Sequence, residues 1–145
     1  MVAYNFQRRF APAIADGRKT HTIRAERRRH ARPGEMLQLF TGMRSTSCVK
    51  IIPDPLCLRI EPVRIDFDAE GKIDQVQIDG QAVEDLDQFA LADGFESLAD
   101  MSGFWTLQHG LLRAFEGVLI GWAPVAQRAW CDAVALSRQQ QTGGE

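Results

Sequence analysis

Short apolar stretches broken by polar and turn-forming residues run along the whole chain. Residues 2–6 are apolar enough to predict a first strand. Phe10, Pro12, Ile14 and Gly17 then predict a short helix. Pro12 suits the first turn, where its missing N–H leaves nothing unpaired. Gly17 suits a left-handed stop just past the end. Phe10 and Ile14 are four residues apart, so they share a face and point inward. In the next stretch Thr20, Thr22 and Arg24 alternate with Lys19, His21 and Ile23, which predicts a short β segment with two faces.

Further on, Pro33-Gly34 fits a type II turn, with glycine supplying the positive φ. Strands are expected over residues 36–40, 48–52 and 56–67, with a loop over 42–47 and a turn at Pro53-Asp54-Pro55. Pro62 inside the third of these strands implies an edge or a bulge. Asp68 to Gly71 reads as a hairpin turn, Ile73, Val76 and Ile78 as the returning strand, and Asp79-Gly80 as its close. Residues 65–80 thus read as a β-hairpin inserted on the core fold. Leu86, Phe89 and Ala90 predict a helix over 84–93 that ends at Gly94. Ser97 caps another helix, with Asp100 in place of the usual Glu of a capping box. Leu98, Met101, Phe104, Trp105 and Leu107 supply its apolar face. A last strand is expected over 116–122, then a C-terminal helix over 125–136 and a polar, flexible tail. The order predicts an α+β chain whose sheet is large enough to curl into a barrel.

The 145 residues suit one domain, and 45% apolar with 25% charged residues is ordinary for a soluble globular protein. No apolar run approaches the roughly 20 residues that cross a bilayer, and the first residues lack the layout of a signal peptide. These features lead us to expect a cytoplasmic protein with no membrane partner, a monomer or weak dimer. Cys48, Cys57 and Cys131 have no CxxC spacing and read as reduced thiols. His21, His30 and His109 lack helical pairing and close cysteine partners, so no metal is expected. The net charge of −2 conceals a division: residues 1–64 hold 13 Lys/Arg against 5 Asp/Glu, and residues 65–145 hold 4 against 14. This division gives either a basic face suited to phosphate or two halves that interleave and neutralise. Arg27, Arg28, Arg29 and Arg32 form the densest basic run. It could hold a nucleic-acid backbone, but it contains no aromatic residue to stack bases. Tyr4, Phe6, Phe40 and Phe95 are the stacking candidates. Trp105, Trp122 and Trp130 read as structural.

The stretch Gly17-Arg18-Lys19-Thr20-His21-Thr22-Ile23-Arg24, followed by Pro33-Gly34-Glu35, resembles the signature of the ASCH family, part of the PUA-like superfamily. The family pattern is a helix, Gly-x-Lys-Thr-x-Thr-x-Arg, then Pro-Gly-Asp opening a strand. Glu35 stands here for the Asp. Asp93-Gly94-Phe95, with Ser97 leading the next helix, is similar to a second family feature. The resemblance covers residues 2–123. It implies a PUA-like small β-barrel of about five to seven strands with flanking short helices. It also implies a cleft where Gly17, Arg18, Lys19, Thr20, Thr22, Arg24, Arg27 and Arg28 face Asp93 and bind RNA or a modified nucleoside. One branch of the family is similar to an amidohydrolase that deacetylates N4-acetylcytidine. Its Lys, Thr and acidic triad falls by motif position on Lys19, Thr22 and Asp93, with Asp where that branch has Glu.

The residues permit such chemistry in their own right. Acyl transfer needs a nucleophile, a base and a charge stabiliser. Thr22 offers the hydroxyl, a buried Lys19 the base, and Asp93 the group that orients it. Arg24 has a planar fork for a carbonyl or phosphate. In a regular strand Lys19 and Thr22 face opposite sides, so they meet only if Lys19 sits in the turn after Gly17. Three functions remain open: RNA or nucleoside binding, amidohydrolysis, and a ribonuclease using Lys19 and Arg24. A protein contact through Glu84, Asp85 and Asp87 has no motif behind it. No Gly-x-x-x-x-Gly-Lys-Ser/Thr run is present, so no ATP dependence and no organic cofactor are expected.

Overall fold

The computed structural model describes residues 1–124. The helix expected over 125–136 and the tail after it, with Trp130 and Cys131, lie outside the described residues. Eight strands and three α-helices make a mixed α+β arrangement of two sheets among those residues. No helix among them is long and apolar enough to cross a membrane.

Strand β1 (Val2–Phe6) buries Val2, Tyr4 and Phe6 on one face. It runs parallel to β3 (Leu37–Thr41), which buries Leu37, Leu39 and Thr41 in the same alternating way. β4 (Val49–Lys50) completes this three-stranded sheet. It is far shorter than the strand expected over 48–52. Its two residues pair with Thr41 and Phe40, and the bend approaching Pro53 and Pro55 takes the chain away from the ladder.

The larger sheet has the order β2-β8-β5-β6-β7. Its members are β2 (His21–Arg24), β5 (Cys57–Phe67), β6 (Ile73–Ile78), β7 (Gln81–Ala82) and β8 (Ala114–Trp122). Pro62 lies in β5, a central strand, yet its neighbourhood is locally an edge. β6 pairs only from Val63 onward, and β8 supports the rest of the strand. The Pro62 carbonyl faces the β6 side, where it accepts from Asp79 N–H at 2.8 Å. The missing proline N–H therefore falls on the side with no ladder to disrupt. The hairpin of β5 and β6 carries core residues: Ile65, Ile73 and Val76 are fully buried. Asp79 and Gly80 both have positive φ and turn β6 into β7.

A 3-10 turn (Arg8–Phe10) leads into α1 (Ala11–Ala15), with Pro12 in its first turn and Gly17 at φ +83 just past its end. Helix α2 (Leu86–Ala92) starts on the Asp85 side chain, which accepts from Gln88 N–H. Helix α3 (Leu98–His109) starts on Ser97, which accepts from Asp100 N–H. Asp100 does not close a capping box on Ser97. Its carboxylate accepts from Glu96 N–H and pairs with Arg9. Leu107 also departs from expectation and is 82% exposed. It sits two residues past Trp105, nearly halfway round the helix from the Met101 and Trp105 face that is buried. The Ser102 hydroxyl accepts from Ile73 N–H at 3.0 Å and ties α3 to the hairpin.

Candidate functional site

Two helix stops bring the site together. At the end of α1, Gly17 N–H bonds Ile14 C=O and Lys19 N–H bonds Ala13 C=O at 2.9 Å. Lys19 is thereby fixed in the turn, before β2 begins at His21. At the end of α2, Gly94 N–H bonds Leu91 C=O and Phe95 N–H bonds Ala90 C=O, the Schellman arrangement with glycine at φ +94. Asp93 is the cap residue of that helix. Lys19 Nζ donates to the Asp93 carbonyl at 2.7 Å and to Asp93 Oδ1 at 2.8 Å. It thus satisfies a helix-terminal carbonyl and a carboxylate together.

Both side chains are almost wholly buried, Lys19 at 4% and Asp93 at 6% exposure. Burial draws the Lys19 ammonium below the usual lysine range, against the upward pull of Asp93. Burial also opposes ionisation of Asp93, but the Lys19 charge beside it, helped by His21, holds its carboxyl below the usual range. His21 Nε2 stands 3.1 Å from the same Oδ1, yet off the line of an N–H···O bond, so this buried nitrogen has no hydrogen-bond partner. Nothing among the described residues donates to Asp93 Oδ2.

A cavity of about 330 Å³ opens over this pair. Lys19, Thr22, Arg24 and Asp93 all line it. Thr22 Oγ1 accepts from Arg24 Nε at 3.1 Å, and Arg24 also donates to Asn5 C=O at 2.6 Å. The guanidinium lies over the Phe6 and Tyr4 rings. Burial, then the neighbouring Arg27, lowers the Arg24 pKa, although a guanidinium keeps its charge across the working range. No hydrogen bond joins Lys19 to Thr22. Phe104, Trp105, His109 and Phe115 line the same cavity, with the His109 ring stacked on Trp105 at 4.8 Å. Gln7 and Gln108 add exposed amides.

The other expected residues stand outside the lining. Gly17 serves as the helix stop. Arg18 is exposed and paired to Asp16. The Thr20 carbonyl extends the ladder by accepting from Trp122 N–H. Arg27 lies on the Tyr4 ring and donates to Arg29 C=O, and Arg28 is exposed. Of the stacking candidates, Phe6 and Phe95 are buried and line the cavity. Tyr4 is a core residue whose hydroxyl bonds His30, and Phe40 lies under Lys50. The sequence gives no hint of the aromatic wall from α3 and β8. The one available signal for His21 is that it alternates in phase with Lys19. Among the described residues, no three His, Cys, Asp or Glu side chains gather as metal ligands. The division of charge is partly neutralised in space, since Arg9–Asp100, Lys19–Asp93 and Arg64–Glu116 pair across it. In comparisons with known proteins, no family model, curated protein or solved structure matches the chain.

Proposed function

We propose that this chain is an ASCH-type module whose cavity binds a nucleoside, free or within RNA. The observation that carries this reading is one cavity lined by both a charged group of side chains and an aromatic group. Lys19, Asp93, Thr22 and Arg24 offer donors and an acceptor, and Phe104, Trp105, His109 and Phe115 offer flat apolar surface. A nucleoside presents the complements of both: a polar base edge with sugar hydroxyls, and a π-face. The volume of about 330 Å³ lies at the small end of ligand sites. On this reading the two sheets correspond to the sides of a PUA-like barrel. Arg24 leads out to Arg27, as both guanidiniums lie over the Tyr4 ring, so a phosphate backbone could continue from the cavity onto the basic run.

A second reading, amidohydrolysis of an N4-acylated cytidine, is favoured by the joint presence of Lys19, Thr22 and Asp93 in the lining and by the lowered basicity of Lys19. It requires Lys19 to shed its proton and turn from Asp93 toward Thr22. The Thr22 oxygen would then attack the acyl carbon, the amine would leave with a proton, and water would release the acyl group.

The test is equilibrium dialysis of cytidine, N4-acetylcytidine and a short RNA with wild type and Arg24→Ala, with the products separated by chromatography. Binding by wild type that is weakened in Arg24→Ala supports the module. Acetate release that is lost in Thr22→Ala adds the hydrolase. Folded wild type that binds none of the three ligands sinks the reading.

A further inference from the structure

Neither reading uses His21, although it is a buried polar group with an unpaired nitrogen. The ring is 7% exposed and lies against Phe89, with centroids 5.5 Å apart and planes 18° from parallel. Its Nε2 lies 3.1 Å from Asp93 Oδ1, within hydrogen-bond distance but outside straight N–H···O geometry. A buried nitrogen with no partner is unfavourable unless it serves something. The nearby charges are Lys19 from the turn before β2 and Asp93 from the end of α2. Arg24 from the far end of β2 acts on both of these.

We infer that His21 is a positioning residue for the site: its Nε2–H holds the Asp93 carboxylate by Oδ1, beside Lys19, and leaves Oδ2 to accept from a ligand in the cavity. The Asp93 side chain is short. Two donors from one strand entry, Lys19 and His21, fix both its rotation and its charge. The Phe89 ring packs against one face of the imidazole. The functional half of this inference rests on the nucleoside reading, and the structural half does not.

The wild-type chain is examined first, with 15N in the imidazole. The inference requires a proton on Nε2 at neutral pH, and a bare Nε2 with the proton on Nδ1 overturns it. The Asp93 carboxyl carbon is then titrated by NMR in wild type, His21→Phe and His21→Gln. Phenylalanine keeps a flat ring on Phe89 and removes the donor, and Asp93 should then protonate at higher pH. Glutamine restores an N–H and should return the midpoint part of the way. An unchanged midpoint in folded His21→Phe overturns the proposal. If that variant does not fold, the wild-type ring nitrogens and His21→Gln decide. Cytidine affinity should fall severalfold in His21→Phe. Unchanged affinity, with wild type binding, overturns the positioning role. A wild type that binds no cytidine sinks the nucleoside reading, while the carboxyl titration still decides whether His21 holds Asp93.

Discussion

Lys19 and Asp93 are charges in a place that would reject either one alone. Each is withdrawn from water, and each is tolerated because the other lies 2.8 Å away. Removing one partner should therefore do far more harm than removing both. We expect Lys19→Met to destabilise the fold by about 3–5 kcal/mol, and Lys19→Met with Asp93→Asn to recover most of that loss in urea titrations. Acidity should reveal the same pair. The folded-state pKa of Asp93 lies below its unfolded value, so its ionisation stabilises the fold above the ordinary carboxylate range. That contribution is lost as pH falls through the lowered value. Thermal melts across the acid range should show a loss that Asp93→Asn lacks. The family resemblance leads us to expect Lys19 facing Asp93, and the structure brings the two side chains into contact. The His21 contact was not legible in the sequence, because it depends on where a residue 72 positions further along the chain comes to rest.

At the scale of the element, both halves of the site sit on helix ends, and glycine makes those ends possible. A Cβ on Gly94 would stand 3.0 Å from Lys19 Cδ and 3.1 Å from a Phe10 ring carbon, at a φ that side chains rarely adopt. Gly94→Ala should destabilise by about 1–2 kcal/mol from backbone strain alone and should also weaken ligand binding, because it pushes on Lys19. A circular-dichroism melt and dialysis together check both effects. Helix α3 bonds the hairpin through two hydroxyls, Ser102 accepting from Ile73 N–H and Thr106 donating to Gly71 C=O. Ser102→Ala leaves Ile73 N–H without its acceptor and should lose about 1–3 kcal/mol. Local punctuation of this kind was readable: Gly17, Pro33-Gly34, Gly94 and Ser97 each mark a boundary through their own backbone chemistry. Strand partners were not readable. The apolar stretch of residues 2–6 predicts a strand but not that it lies parallel to β3. Leu107 also misled, because a hydrophobic residue near a buried face is not necessarily on it.

Across the whole molecule, charge is arranged in two ways. Some pairs bind the basic and acidic halves together, as Arg9–Asp100 and Arg64–Glu116 do. Arg28 and Arg32 make no ion pair among the described residues. If RNA follows the basic run, its affinity should fall steeply with salt, because each phosphate contact releases counterions. Arg28→Ala with Arg32→Ala should flatten that slope and leave cytidine binding unchanged. Filter binding across a salt series separates the two. An equal slope in the double variant would remove the run from the interface. The charge division was visible in the sequence, but its partial cancellation depends on long-range packing that no local pattern encodes.

The contact between Lys19 and Asp93 spans 74 positions of chain. Closing so long a loop is slow and entropically unfavourable until many other contacts support it. The cavity therefore exists only once these distant segments have come together. Any ligand that needs both residues recognises only finished molecules, so occupancy of the site also measures completed folding.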